Sequence, residues 1–221
     1  MITVKVEGVR RNFIPVSAFL YNVFLLDEAE RRLLIFPVER HEALPIVAAL
    51  NNLTMPRPGA IHLMAETLTL LNYKLKEIRI ASYSRLPPLY HLCECQLSWS
   101  SGETVREQTK NLCAGDAIGL ALLMEAPLLV SDELFKQMGV PLTDGQTPEL
   151  VFARYLLHRE GITLPEGKEL RLGYSKTPLR DALVKEVKAS LSGKAPIFPE
   201  EDMEQRKKEY LAFLLGESAH V

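Results

Sequence analysis

A strand-rich stretch near the start of the chain sets its architecture: Phe19-Leu20-Tyr21-Asn22-Val23-Phe24-Leu25-Leu26, a polar turn, then Arg32-Leu33-Leu34-Ile35-Phe36-Pro37-Val38. Both runs consist mainly of aromatic and branched aliphatic residues, which favour β-strands. The turn contains Asp27-Glu28-Ala29-Glu30, which is polar and short enough to join two strands directly. We therefore predict an antiparallel hairpin rather than the strand–helix–strand unit of a parallel sheet.

Hydrophobic spacing predicts further elements on both sides of this hairpin. Residues 2–7 alternate apolar and polar side chains, as a half-buried strand does. Helices are predicted over 41–50, 58–72, 116–125 and 131–139, and strands over 76–81, 89–97, 104–108 and 127–130. Hairpins and helices occur in clusters instead of strict alternation. We therefore predict an α+β fold, with an antiparallel or mixed sheet and packed helices.

The turn-forming residues Pro141 to Gly145 mark the best boundary in the chain. They predict one domain over residues 1–140 and a mainly helical C-terminal extension over 141–221. Within the extension we expect helices from Thr147, Thr177 and Pro199, and one strand over 168–172. The last helix is amphipathic, so we expect it to dock on its own domain or on a second subunit.

Composition and charge limit the classes of protein to be considered. Of the 221 residues, 47% are hydrophobic and 24% are charged, as in globular proteins, and the formal net charge is −2. A nucleic-acid contact would therefore need a local basic patch. The three cysteines form an odd set, which favours a reducing compartment. With no signal-like start and no long apolar run, the chain is expected to be cytoplasmic and without a membrane span.

Four strings occur in an order and spacing that resemble the bifunctional nuclease family of small bacterial and plant domains. They are Phe36-Pro37-Val38, Glu42-Ala43, Arg57-Pro58 and Asn111-Leu112-Cys113-Ala114-Gly115-Asp116-Ala117-Ile118-Gly119-Leu120-Ala121. The resemblance covers about residues 1–140. It implies homo-oligomers, and we predict a dimer. It also implies a metal-dependent nuclease that acts on DNA or RNA and needs no organic cofactor.

The resemblance also implies a site. Glu42 and Asp116 would bind Mg²⁺ or Mn²⁺, because these cations prefer oxygen ligands. Arg57 would bind phosphate through its planar guanidinium group. Asp116 and His62 would be the catalytic residues.

Departures from the family pattern support a competing hypothesis. Typical members carry Thr-His-Asp where this chain has Ala60, Ile61 and His62. Within the string 111–121, they carry Arg where this chain has Cys113 and Ser where it has Gly115. The alternative function is therefore a non-catalytic binding or assembly module that keeps the fold.

Each candidate residue also has a purely structural interpretation. Glu42 and Asp116 lie near predicted helix starts, where acids stabilise exposed N–H groups. Arg57 could bond backbone carbonyls, and His62 could be a surface or core histidine. A separate alternative is a soft-metal site on the predicted strand that carries His91, Cys93 and Cys95, although cysteines on an apolar strand face are usually core residues.

Overall fold

The structure is a computed structural model that describes residues 1–11, 21–55, 58–86, 90–143, 146 and 151. The three helices and the strand predicted within the C-terminal extension lie outside these residues, apart from Val151, and so does Arg57. Within the described part, no helix is long and apolar enough to cross a membrane.

An eight-stranded mixed sheet and four helices make up the described part of the chain. In order along the chain they are β1 (Ile2–Arg11), β2 (Tyr21–Asp27), β3 (Arg32–Val38), α1 (Arg40–Leu50), α2 (Ala60–Leu70), β4 (Tyr73–Leu86), β5 (Tyr90–Ser101), β6 (Thr104–Cys113), α3 (Ala114–Leu123), β7 (Leu128–Val130), α4 (Asp132–Met138) and β8 (Val140–Pro141). The strands lie in the order β6-β5-β4-β7-β1-β2-β3-β8. Only the β4–β7 pair is parallel among the described strands. The predicted α+β class with a mixed sheet is confirmed.

The predicted hairpin is formed by β2 and β3, which pair in register from Tyr21 opposite Val38 to Asp27 opposite Arg32. The buried Asp27 carboxylate stabilises the turn. Its Oδ1 accepts hydrogen bonds from the backbone N–H groups of Ala29 (3.1 Å) and Glu30 (3.3 Å). Its Oδ2 accepts two from the Arg32 guanidinium, at 3.1 and 2.8 Å.

The main core lies between the helices and one face of the sheet. Helices α1 and α3 pack against each other and against the sheet. Ile46 of α1, Ile118 of α3 and Ile78 of β4 are completely buried in this core. A smaller apolar cluster contains Phe24, Leu33, Ile35, Leu142 and Val151. Leu142 and Val151 come from the C-terminal extension, so the extension begins by packing on the β2–β3 hairpin.

Candidate functional site

Two helix starts lie side by side in this fold. Helix α1 begins at Arg40, just after β3, and helix α3 begins at Ala114, directly after β6. Because the two helices pack together, Glu42 in the first turn of α1 approaches Asp116 in the first turn of α3. The negative charge of Asp116 contributes, after burial, to a raised pKa of Glu42, as expected for two neighbouring carboxyl groups. The structure thus brings together both acids that the sequence predicted as metal ligands.

A glycine makes this approach feasible. A Cβ atom on Gly115 would overlap the Glu42 Cβ and would lie 3.1 Å from the Glu42 Cγ and Cδ. Only glycine fits here without displacing the Glu42 side chain. The position at which typical family members carry serine is therefore filled, in this protein, by the glutamate of the neighbouring helix.

Glu42 has a structural role as well as its place in the site. Its carboxylate Oε2 accepts a hydrogen bond from the Glu39 backbone N–H at 2.7 Å, and Glu39 and Glu42 form a reciprocal capping box at the start of α1. The side chain is buried, and this burial is the main reason that the pKa of Glu42 is raised. The hydrogen bond opposes the shift.

Asp116 differs from Glu42 because its carboxylate forms no hydrogen bond or ion pair with any residue that the structure describes. The residue is half-buried, and burial raises its pKa, whereas the nearby imidazole of His41 acts in the opposite direction when it is protonated. A partly desolvated acid without a bonded partner is costly and is a common feature of functional sites. The helix-capping interpretation therefore describes Glu42 better than Asp116.

Two neighbours of the acid pair were not included in the site predicted from sequence. The Cys113 thiol, at the N-terminal end of α3, forms a hydrogen bond with the Glu42 carboxylate. Burial first, and then the charges of Glu42 and Asp116, raise the pKa of Cys113 to about 11, so the group is a neutral thiol that donates this bond. His41 is exposed, and its Nδ1 lies 3.2 Å from the Glu39 Oε2. In the sequence, the Glu39-x-x-Glu42 spacing, which is typical of a capping box, indicates that residues around position 39 lie near Glu42.

His62 lies in a different place from the acid pair. It lines an open groove of about 410 Å³ between α2 and the end of α3, together with Glu66 and Leu123. Leu123 is seven residues beyond Asp116 on the same helix, a separation of about 10 Å along its axis. Burial lowers the pKa of His62, and the charge of Glu66, a residue of the same helix, opposes this shift. The structure thus does not bring His62 to the acids.

The described residues contain no group of three or more histidine, cysteine, aspartate or glutamate side chains arranged to hold a metal ion. Cys93 and Cys95 are buried in the main core, and burial raises the pKa of Cys95 to about 12. Their position agrees with the core interpretation. The donor set of Glu42 and Asp116 fits Mg²⁺ or Mn²⁺, because such ions often take one or two carboxylates and complete their shell with water and substrate phosphate.

The mixed sheet, its layer of helices and the acid pair at two adjacent helix starts define an α+β domain with an acidic site on its helical side. Residues 23–143, more than half of the chain, match the bifunctional nuclease domain family, and the chain belongs to that family. This confirms the resemblance seen in the sequence and connects the protein with nucleic acid in the broad sense. No curated protein matches the chain.

Proposed function

We propose that this protein is a metal-dependent nuclease that hydrolyses phosphodiester bonds of DNA or RNA, with Glu42 and Asp116 as its acidic centre. One observation carries the proposal: the half-buried Asp116 carboxylate has no bonded partner in the described part of the chain, yet it lies beside a second buried acid. Such a pair repels itself, and a cation between the two carboxylates would remove the repulsion. The family assignment supports the same chemistry.

The two acids have different roles in this proposal. Asp116 would hold the Mg²⁺ or Mn²⁺, because its carboxylate has no hydrogen-bond or ion-pair partner among the described residues. Glu42 contributes the second carboxylate, which the Glu39 N–H and the Cys113 thiol hold in place. When bound, the cation neutralises phosphate charge and lowers the pKa of a water molecule.

Two histidines are candidates for proton transfer. The sequence pointed to His62, whose groove is separate from the acids. His41 is exposed, and when it is protonated it interacts electrostatically with both Glu42 and Asp116. We assign the transfer to His41 on this ground, so that His41→Ala reduces cleavage more than His62→Ala does. General acid–base catalysis of this kind contributes about 10²- to 10⁴-fold.

The proposal is tested by incubating the purified protein with labelled single- and double-stranded DNA and RNA, in Mg²⁺ or Mn²⁺ and in chelator. Asp116→Asn should reduce the cleavage rate at least about 100-fold. Glu133→Gln is the matched control, because Glu133 also lies in the first turn of a helix, α4, but belongs to another part of the fold. Cleavage that Asp116→Asn leaves unchanged would remove Asp116 from the centre.

A second candidate function is the non-catalytic binding or assembly module. It is favoured by the hydrogen bonds that the Glu42 carboxylate already accepts from the Glu39 backbone N–H and the Cys113 thiol. Typical family members carry arginine, not cysteine, at position 113. In that case the acid pair would be a structural remnant. The protein would then bind nucleic acid without cleaving it under any metal condition of the assay.

We also propose that the protein forms a symmetric dimer, the commonest arrangement for a soluble chain. Besides the sheet and the last helix of the extension, α2 is a candidate surface. Its exposed apolar residues are Leu63, Met64 and Leu70, and Leu71 follows directly. Exposed apolar groups of this kind gain free energy when a second surface covers them.

A further inference from the structure

Strand β6 is the outermost strand at one edge of the sheet, and its two sides differ in charge. Along β5, the residues that belong to the main core or pack against it are Cys93, Cys95, Leu97 and Trp99. Their partners on β6 are, in the same order, Leu112, Lys110, Gln108 and Arg106. Directly opposed residues of antiparallel strands share a face of the sheet. Arg106, Gln108 and Lys110 therefore lie on the side of the sheet that carries the helices.

These three side chains are nevertheless exposed, so the helix layer does not cover this part of β6. We call Arg106, Gln108, Lys110 and the neighbouring Trp99 the β6 shelf. The shelf contains two positive charges and no acid. Glu107 lies on the opposite side of the strand, where its carboxylate accepts a hydrogen bond from the Gln96 side-chain amide at 3.0 Å.

The two positively charged side chains of the shelf are available to bind an anion. Neither Arg106 nor Lys110 forms an ion pair or hydrogen bond with another side chain among the described residues. By contrast, Lys5 lies 3.5 Å from both Glu7 and Glu28, and Lys136 pairs with Asp132. Free cations on one face are what a polyanion requires, because they can neutralise phosphates without first losing an internal partner.

Aromatic side chains stand next to these cations. Trp99 is half-buried, is the only tryptophan in the sequence, and lies in register between Leu75 and Arg106. Tyr73 shares its face two positions along β4 and is also half-buried. Proteins that bind single strands combine a basic track with aromatic rings on which unpaired bases stack.

The shelf also points to the acid pair. Strand β6 runs directly into α3, and Lys110 is three residues before Cys113, which is bonded to Glu42. Three strand residues span about 10 Å. A polynucleotide lying along the shelf would therefore arrive at the helix starts that carry Glu42 and Asp116.

We propose that the β6 shelf is a binding track for single-stranded nucleic acid, with Arg106 and Lys110 on phosphates and Trp99 stacking on a base. Delivery of the strand to Glu42 and Asp116 rests on the proposed function, whereas binding itself does not. Duplexes bind less well because their bases are already stacked.

Binding is measured on the full chain, in chelator, with fluorescein-labelled oligothymidylate and oligouridylate in separate arms. The anisotropy titration should be accompanied by quenching of the single tryptophan. The matched variants are Lys110→Ala and Lys74→Ala. Both remove one exposed lysine from a strand, but Lys74 pairs with Ser100 and so lies on the opposite side from Trp99.

Lys110→Ala and Arg106→Ala should each lower the slope of log affinity against log salt concentration by about 0.7, the contribution of one phosphate contact on a single strand. Lys74→Ala should leave the slope unchanged. Circular dichroism confirms that each variant is folded. Equal effects of Lys110→Ala and Lys74→Ala, or full binding without tryptophan quenching, would overturn the proposal.

The Asp116→Asn variant separates this inference from the proposed function. If it binds as the native protein does and neither protein cleaves, the track is supported and the nuclease proposal fails. If the native protein cleaves while the shelf variants bind and cleave normally, the track is overturned and the nuclease proposal remains.

Discussion

The Glu42 side chain occupies the space that a side chain at position 115 would need, and Gly115 leaves that space free. We predict that Gly115→Ala lowers the free energy of unfolding by about 1–3 kcal/mol, the usual cost of overpacking a filled site. Gly119→Ala is the control on the same helix, because the nearest atoms to its added Cβ are 3.8 to 4.0 Å away. The control should be neutral or stabilising by about 0.5–1 kcal/mol, since alanine favours helix over glycine. Urea denaturation of both variants measures the difference, and equal effects would contradict the contact.

The Cys113 thiol reports on the charge of the acid pair. With its pKa raised to about 11, it should react with iodoacetamide about 100-fold more slowly than an ordinary cysteine at mildly alkaline pH, because the thiolate is the nucleophile. The rate should increase with pH up to about 11. Glu42→Gln removes one negative neighbour and should accelerate the reaction, whereas Glu133→Gln should not. Mass spectrometry of the modified peptide distinguishes Cys113 from Cys93 and Cys95. An unchanged rate in Glu42→Gln would show that the two side chains do not interact.

At the scale of single residues, the sequence analysis selected two acids that the fold brings together, but it did not select their neighbours. Glu42 and Asp116 were predicted because the strings that contain them resemble the family and lie near helix starts. His41 and Cys113 join them only through the packing of α1 on α3, a contact between distant parts of the chain. No spacing rule along the sequence reports such a contact.

At the scale of secondary-structure elements, local signals identified the elements that have one buried face, although not their full length: β4, predicted over 76–81, runs from Tyr73 to Leu86. The β2–β3 hairpin and the starts of α1 and α4 were predicted from turn residues and apolar spacing. Strand β6 was predicted only over 104–108, whereas it continues to Cys113. Its first eight residues are exposed on both faces, so the apolar alternation that marks a half-buried strand is absent. The two-residue strand β8 is too short to leave a pattern.

The hairpin turn yields a prediction about Asp27. Asp27→Ala removes the acceptor of two backbone N–H groups and leaves the largely buried Arg32 guanidinium without its closest partner, so we expect a loss of about 3 kcal/mol in stability. Glu30→Ala is the control, because Glu30 is exposed and also lies near Arg32, at 3.2 Å. It should cost less than about 0.5 kcal/mol. Similar losses in thermal or urea denaturation of the two variants would contradict the role given to Asp27.

At the scale of the whole molecule, the net charge of −2 gave no indication of the local basic surface formed by the β6 shelf. On β6, Arg106 and Lys110 lie on one face of the sheet, and Glu107, the one acid of this strand, lies on the other. The chain therefore has a basic surface without being a basic protein. Folding also places two described residues of the C-terminal extension, Leu142 and Val151, in the cluster with Phe24 and Leu33 rather than in the main core.

The dimer is a prediction at this same scale. Light scattering of the full chain should give the mass of two subunits. Leu70→Ser, at a position 83% exposed, should weaken the dimer if α2 is in the interface, whereas Val105→Ser, on the edge strand β6, should weaken it if the sheet edge is in the interface. A truncation before Pro199 tests the last helix separately. A monodisperse monomer in the full-length sample would refute the dimer.

The central claim is that Asp116, beside Glu42, is the metal-binding acid of a nuclease centre. The most direct measurement is the initial rate of cleavage of a labelled single-stranded oligonucleotide in Mg²⁺ or Mn²⁺, compared among the native protein, Asp116→Asn and Glu133→Gln. We predict cleavage that chelator abolishes, that Glu133→Gln retains, and that Asp116→Asn reduces at least about 100-fold. Absence of cleavage by the native protein with either metal, or cleavage at the same rate in all three proteins, would contradict it.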